Sequence, residues 1–214
     1  MTNDLAGWRR DYRLQELSER DVLADPVRQF EQWLGDAREQ QLVEPNAMTL
    51  ATCTHDGKPS ARVVLLKGIQ DNGFVFFTNY ESRKGVQIRE NPFGCLVFYW
   101  KELERQVRIE GRIDAVSAPD SDAYFAVRPL ESQIGAWSSP QSRVIESREV
   151  IEKNVAGYTG KFGTGSVPRP PYWGGYILRP TLMEFWQGRT ARLHDRLQYT
   201  LMKDGSWKIE RLAP

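Results

Sequence analysis

Glu104-Arg105-Gln106-Val107-Arg108-Ile109-Glu110-Gly111-Arg112-Ile113-Asp114-Ala115-Val116 alternates without a break. Val107, Ile109, Gly111 and Ile113 fall to one side of the chain; Gln106, Arg108, Glu110 and Arg112 fall to the other. A period of two is the geometry of a strand, and an apolar side opposite a polar one is a strand with one face on a core. Shorter strand-like segments flank it. Met48 to Thr54, Ala61 to Gly68 and Phe74 to Thr78 precede it, joined by the turn-forming His55-Asp56-Gly57-Lys58 and Asp71-Asn72-Gly73. Cys95 to Lys101 leads into it. Trp173 to Leu178, Met183 to Gln187, Arg196 to Met202 and Trp207 to Arg211 follow, the last two joined through Asp204-Gly205.

Helical spacing is confined to the connections. Asp25-Pro26 is an N-cap with a proline in the first turn, and Phe30, Trp33, Leu34 and Ala37 carry a helix over residues 26–43. Further helices are expected over Ser82 to Asn91, stopped by Pro92, and over Asp120 to Val127 and Ile145 to Tyr158. Ser132 to Arg143 reads as a polar loop with an apolar Ile134-Gly135-Ala136-Trp137 insert, and Gly160 to Pro171 as a loop rich in glycine and proline. Residues 1–24 are charged and lack an apolar period; they read as an arm with a short helix about Leu5 to Leu17. There is no βαβ alternation and no glycine-rich phosphate motif. The expected fold class is mainly β with helices (α+β): a closed β-barrel with peripheral helices, one domain over residues 25–214 behind the N-terminal arm at 1–24.

Composition narrows function. The 214 residues carry a formal charge of +1, so no global field favours nucleic acid or an anionic membrane. Any anion has to be held by local clusters. Apolar runs such as Val63 to Leu66 and Leu96 to Trp100 are too short to span a bilayer. The charged N-terminus lacks the apolar stretch of a secretory signal, and a cytoplasmic protein is expected. Cys53 and Cys95 lie in apolar strand-like segments as reduced core residues; with no neighbouring histidine they make no metal site.

Four clusters offer chemistry. Read as a strand, Arg192-Leu193-His194-Asp195-Arg196 puts Arg192, His194 and Arg196 on one face and Leu193 and Leu197 on the other. Like charges so close oppose folding, so either an anion sits against that face or the face is solvated. Arg62-Val63-Val64-Leu65-Leu66-Lys67 is an apolar strand with a cation at each end, either anion ligands or snorkelling ends. Arg83 and Lys84 open a helix that Ser82 caps, against the helix dipole. A bound phosphate reconciles them with it; a solvated pair is the alternative. Tyr124 and Arg128 are one helical turn apart, and Pro129 ends that helix so that Ser132 can fold back. Phenol, guanidinium and hydroxyl then make a phosphate cup or a solvated helix face. Gln106, Gln141-Ser142 and Trp186 say little alone. No Ser–His–Asp signature and no glycosidase-type carboxylate pair is present.

Taken together, these segments resemble the pyridoxamine (pyridoxine) 5′-phosphate oxidase family. The resemblance is carried by Arg62 to Lys67 (RVVLLK), Phe77-Thr78-Asn79 with Ser82-Arg83-Lys84, Glu104-Arg105-Gln106-Val107, Ser132 to Trp137 (SQIGAW) and Gln141-Ser142. Phe185-Trp186-Gln187-Gly188, Arg192 to Arg196 (RLHDR) and the terminal Arg211-Leu212-Ala213-Pro214 complete it. It implies an FMN-binding split β-barrel that works as a homodimer with FMN at the subunit interface. The implied reaction is oxidation of pyridoxamine 5′-phosphate or pyridoxine 5′-phosphate to pyridoxal 5′-phosphate, with O2 reduced to hydrogen peroxide. By the same resemblance Arg62, Lys84 and Ser142 hold the FMN phosphate, with Arg83 and Gln141 nearby. Val63, Val64, Leu65, Leu66, Lys67, Phe77, Thr78, Gln106, Trp186 and Arg196 line the rest of the flavin. Lys67, Tyr124, Arg128 and Ser132 resemble the substrate's phosphate cup. Arg192, Leu193 and His194 lie over the pyridine ring, with Arg192 and His194 as the catalytic residues. Arg9, Arg10, Asp11 and Tyr12 resemble a lid.

Two departures from the family pattern are visible. Arg143 follows Gln141-Ser142 where a second small polar residue is usual, and Ala191 precedes Arg192 where His or Asn is expected. Both bear on loop geometry. Two other readings share parts of the pattern: a split-barrel flavin oxidase of phenazine type, differing at Tyr124, Arg128 and Ser132, and a non-catalytic module that holds pyridoxal phosphate or FMN.

Overall fold

A computed structural model describes residues 11–163 and 165–214. Nine strands form among them: β1 (Ala47–Cys53), β2 (Pro59–Leu65), β3 (Gly68–Gln70), β4 (Gly73–Asn79), β5 (Phe93–Trp100), β6 (Arg105–Ala115), β7 (Trp173–Gln187), β8 (Asp195–Leu201) and β9 (Trp207–Arg211). The helices are α1 (Pro26–Glu39), α2 (Arg83–Glu90), α3 (Ala118–Ala126), α4 (Leu130–Ser138) and α5 (Arg148–Phe162). The strands join in the order β2-β1-β5-β6-β7-β4-β3, with β8 on β7 and β9 on β8. This is the mainly-β, α+β class expected from the alternating segments. β6 keeps the alternation read from its sequence, with Val107, Ile109, Gly111 and Ile113 buried and the residues between them more open.

The chain divides into two compact units. One holds the described residues up to Thr49 with Cys95–Glu110 and Pro180–Pro214; the other holds Leu50–Gly94 and Gly111–Arg179. In the first, α1 starts at an Asp25 carboxylate that accepts from the N–H groups of Val27 and Arg28. It buries Val27, Phe30, Trp33 and Ala37, with Trp33 edge-on to Phe185 at 5.2 Å and Phe30 4.7 Å from Phe98. In the second, Asp71 and Asn72 both take positive φ (47° and 59°), the two-residue turn that returns β3 into β4. Ser82 caps α2 by accepting from the Gly85 N–H at 3.3 Å. A Cβ at Gly85 would sit 2.2 Å from the Tyr80 carbonyl oxygen, so only glycine lets this helix start there.

Several expectations change. Arg192 and His194 do not lie on a strand: Thr190–Arg192 is a short 3-10 turn, Ala191 and Arg192 have φ of 53° and 61°, and β8 begins only at Asp195. Two consecutive left-handed residues abolish the alternation, so Leu197 is buried but Leu193 is 68% exposed. Residues 132–143 are not all loop. Pro129 starts α4, and Ile134 and Ser138, one turn apart, face inward along it. Trp173–Gln187 is one strand, not two. β4 pairs along Trp173 to Leu178 and β8 along Leu182 to Gln187, and Pro180 falls between these ladders, where neither uses its missing N–H. α1 ends at Glu39, short of residue 43, because Gln41 and Glu44 turn left-handed. Residues 11–17 carry no helix.

No helix among the described residues is long and apolar enough to cross a membrane. None of their His, Cys, Asp and Glu side chains gather in a group that can hold a metal ion.

Candidate functional site

Inside the second unit, β2, β4, α2 and the α3–α4 corner enclose a hollow of about 480 Å³. β2 and its exit contribute Arg62, Val63, Val64, Leu65 and Lys67; β4 contributes Phe77 and Thr78. Lys84 comes from the first turn of α2, and Gln141 from the segment after α4. Tyr124, Arg128, Pro129, Ser132 and Trp173 complete the wall. Four cations therefore line it, with no carboxylate among the lining residues.

The cations are held by neutral groups. Arg62 donates from Nη1 to the Leu50 carbonyl (3.1 Å) and Thr52 Oγ1 (2.7 Å), and from Nη2 to Ser60 Oγ (2.5 Å). Thr52 and Ser60 in turn donate to Gln87 Oε1, at 2.6 and 2.7 Å. These bonds fix the guanidinium without neutralising it. Lys84 Nζ donates to Thr78 Oγ1 and Gln141 Oε1, each at 3.1 Å. Burial, then the nearby Arg62, pull the Lys84 ammonium down to about 8. Arg62 is lowered by burial and by Arg83. Arg128 is lowered by burial, and its Nη1 is buried with no hydrogen-bond partner. A buried donor left empty is expensive, and an anion would satisfy it. The apolar part of the wall is flat: Phe77 and Tyr124 stack at 3.9 Å, and Trp173 lies nearly parallel to both.

The sequence thus named most of this hollow. Arg62, Val63, Val64, Leu65, Lys67, Phe77, Thr78, Lys84, Gln141, Tyr124, Arg128 and Ser132 meet in it. Leu66 is buried and is not among the lining residues. Arg83 and Ser142 line a second hollow of about 290 Å³ with Thr54, Gln87, Glu90 and Arg143. The sequence pattern marks Trp173 only as the start of a strand. Its signal was chemical: an aromatic ring beside a helix corner that offers an unpaired arginine.

The remaining candidates belong to the first unit. Gln106 is on β6, Trp186 on β7 and Arg196 on β8, with Arg192 and His194 in the turn before β8. Here the described part of the arm is attached by hydrogen bonds. The Glu104 carboxylate accepts from the Arg13 and Leu14 N–H groups, Asp195 accepts from the Leu17 N–H, and Arg211 binds Glu19, Asp195 and the Leu17 carbonyl. That attachment places Tyr12 5.7 Å from Trp186 and 5.8 Å from His194, ring to ring. The Tyr12 ring also packs on Gly188, where a Cβ would meet it at 2.7 Å. Asp11 pairs with Arg13 at the surface, and Arg9 and Arg10 lie outside the described residues.

His194 Nδ1 accepts from the Arg189 N–H at 3.1 Å. The neutral ring therefore carries its proton on Nε2 and presents a donor there. Burial and Arg192 lower its pKa, which favours that neutral form. Arg196 is committed to Glu184 (2.8 Å) and the Ala213 carbonyl (2.8 Å), and Glu184 also holds Arg108 at 2.6 Å. Arg192 is exposed.

Known proteins resemble this chain along nearly its whole length. The family profile described as pyridoxamine 5′-phosphate oxidase matches residues 34–161, and that of the pyridoxine 5′-phosphate oxidase C-terminal dimerisation region matches 173–214. A pyridoxine/pyridoxamine 5′-phosphate oxidase from Cupriavidus necator is 58% identical over 210 residues, covering 98% of this chain and 99% of that one. One from a Cyanothece species is 55% identical over the full length of both chains. Among solved structures, PhzG from Burkholderia lata, in complex with tetrahydrophenazine-1-carboxylic acid, superposes with a TM-score of 0.87 at 32% identity, covering 94% of this chain and 99% of that one. A pyridoxamine 5′-phosphate oxidase-related, FMN-binding protein from Nostoc punctiforme shares the fold, with a TM-score of 0.71 at 19% identity over 90% of this chain and all of that one. With the family profile matched over residues 34–161 and relatives more than half identical along nearly their whole length, the chain belongs to the pyridoxamine 5′-phosphate oxidase family.

Proposed function

We propose that the chain is an FMN-dependent oxidase of pyridoxine 5′-phosphate and pyridoxamine 5′-phosphate. The observation that carries this reading is the charge of the hollow: Arg62, Lys67, Lys84 and Arg128 line it, no carboxylate does, and a guanidinium nitrogen of Arg128 is buried without a partner. Phosphates complete such a wall. The names of the full-length relatives support the substrate.

The residues fit two phosphorylated aromatic ligands. Arg62 and Lys84, fixed by Thr52, Ser60, Thr78 and Gln141, bind the FMN phosphate, with Arg83 and Ser142 assisting. Lys67, Tyr124, Arg128 and Ser132 bind the substrate phosphate. Val63 to Leu65 and Phe77 line the flavin. Holding each ligand by its remote end fixes both rings and leaves the reacting carbon unobstructed. The chemistry FMN supplies when bound is two-electron transfer from the substrate's C4′ carbon to O2. The alcohol and O2 give the aldehyde and H2O2; the amine also consumes water and releases ammonia. Arg192 orients the pyridine ring and stabilises charge beside it. His194 donates from Nε2–H, and Tyr12 covers it. The match of residues 173–214 to a dimerisation region supports a homodimer, and this reading puts FMN at its subunit interface.

The test is peroxide release. In air, the flavin-loaded protein releases H2O2 with pyridoxine 5′-phosphate and far less with unphosphorylated pyridoxine. No peroxide with either would leave a binding module; equal rates would remove the phosphate cup. A pH dependence follows as well. The protonated Lys84 binds phosphate, and its pKa in the free protein is near 8. FMN affinity should hold up to pH 8 and fall above it, approaching about tenfold per unit. Titration of the flavin-free protein at pH 7 and pH 9.5 measures this, and equal affinities would remove Lys84 from the site.

A further inference from the structure

Arg128 has no carboxylate partner among the described residues. Arg62 shares this but is held by hydrogen bonds to neutral groups, whereas the other arginines buried to a similar degree are paired. Arg105 pairs with Asp36, Arg108 and Arg196 share Glu184, and Arg169 pairs with Asp122. The Arg128 guanidinium instead lies over the Trp173 ring, 4.5 Å from its centroid, with the Phe125 ring at 5.4 Å. Gln133 Nε2 donates to the Arg128 and Ala126 carbonyls (2.8 and 3.2 Å), fixing the backbone where α3 ends. Trp173 is itself buried. It is packed with Phe125, Ile134 and Val167, its ring is within 4° of parallel to Tyr124, and its backbone pairs with Asn79 of β4.

We propose that Trp173 is a positioning residue for the phosphate end of the substrate, acting through Arg128. A ring face attracts a guanidinium and restrains its plane without supplying a negative charge. A carboxylate in the same place would orient the arginine too, but it would cancel the charge and occupy the donors that an incoming anion needs. The empty Arg128 Nη1 is the donor so preserved. The inference rests on the reading of Lys67, Tyr124, Arg128 and Ser132 as the substrate's phosphate cup.

A double-mutant cycle on the flavin-loaded enzyme tests it, with pyridoxine 5′-phosphate as the varied substrate. Trp173→Leu should raise KM about tenfold and leave kcat within about twofold, a uniform-binding loss. Trp173→Phe keeps a ring and the core packing and should raise KM only about threefold. Arg128→Ala should raise KM more than either. Adding Trp173→Leu or Trp173→Phe to Arg128→Ala should then raise KM no further, because the tryptophan has lost what it positions. A merely structural role would damage binding equally in both backgrounds, and that result overturns the proposal. So does a Trp173→Phe enzyme as impaired as Trp173→Leu. If Trp173→Leu fails to fold, the Trp173→Phe arm decides alone: an unchanged KM, or a change that persists beside Arg128→Ala, overturns it. An unchanged KM in Arg128→Ala removes the cup itself, and this inference with it.

Discussion

Lys84→Ala protein should purify without its flavin. The Lys84 ammonium sits in the first turn of α2, half-buried, bonded to Thr78 and Gln141, and repelled by Arg62. A solvated surface lysine would not be pulled down to about 8. A phosphate bound there would recover the electrostatic work of holding that charge beside Arg62. Hydrogen bonds to charged groups contribute about 1.5–3 kcal/mol each, so losing this one should weaken FMN roughly 10- to 100-fold or more. Arg62 is left to hold the phosphate with bonds that already serve Leu50, Thr52 and Ser60. The ratio of visible to ultraviolet absorbance after purification measures the loss. Full yellow colour would place the FMN phosphate elsewhere.

Arg192→Leu should do the opposite: the flavin stays and turnover collapses. Arg192 lies in a turn rather than on a strand, exposed, with a left-handed backbone at φ 61°. A non-glycine residue in that region stores strain, and such positions concentrate where a side chain has to be aimed. Its neighbour His194 has Nδ1 tied to the Arg189 N–H, which leaves Arg192 as the cation of this cluster that no carboxylate among the described residues claims. Removing a donor directed at developing charge typically slows an enzyme about 100- to 1000-fold. The expected signature is a kcat that falls by about that factor with flavin content unchanged. Near-normal turnover would make Arg192 a surface residue.

The sequence was most legible where one local force decides. The alternation of Val107, Ile109 and Ile113 survives in β6, because burial on one face is what a period of two records. Asp25 and Ser82 cap α1 and α2 as expected, since an orphan N–H has few other partners. It was least legible where a local pattern was overruled. The Leu193 and Leu197 spacing suggested a strand through Arg192, yet the Arg189 N–H to His194 bond and two left-handed residues build a turn there. In β7 the proline looks like a break, yet it falls in the gap between the β4 and β8 ladders. For the site, Arg62, Lys84, Tyr124, Arg128 and Ser132 were each ambiguous alone. Folding brings them to one wall without a carboxylate, which no spacing rule reveals. Trp173 was missed because its role depends on what lies across from it, 45 residues away in the chain from Arg128.

The most direct test is the visible spectrum of the purified protein as pyridoxine 5′-phosphate is added without oxygen. A flavin envelope should be present, should bleach as the phosphorylated alcohol is added, and should return when air is admitted. A colourless protein that takes up no FMN, or a flavin envelope that pyridoxine 5′-phosphate leaves unchanged, would contradict the account.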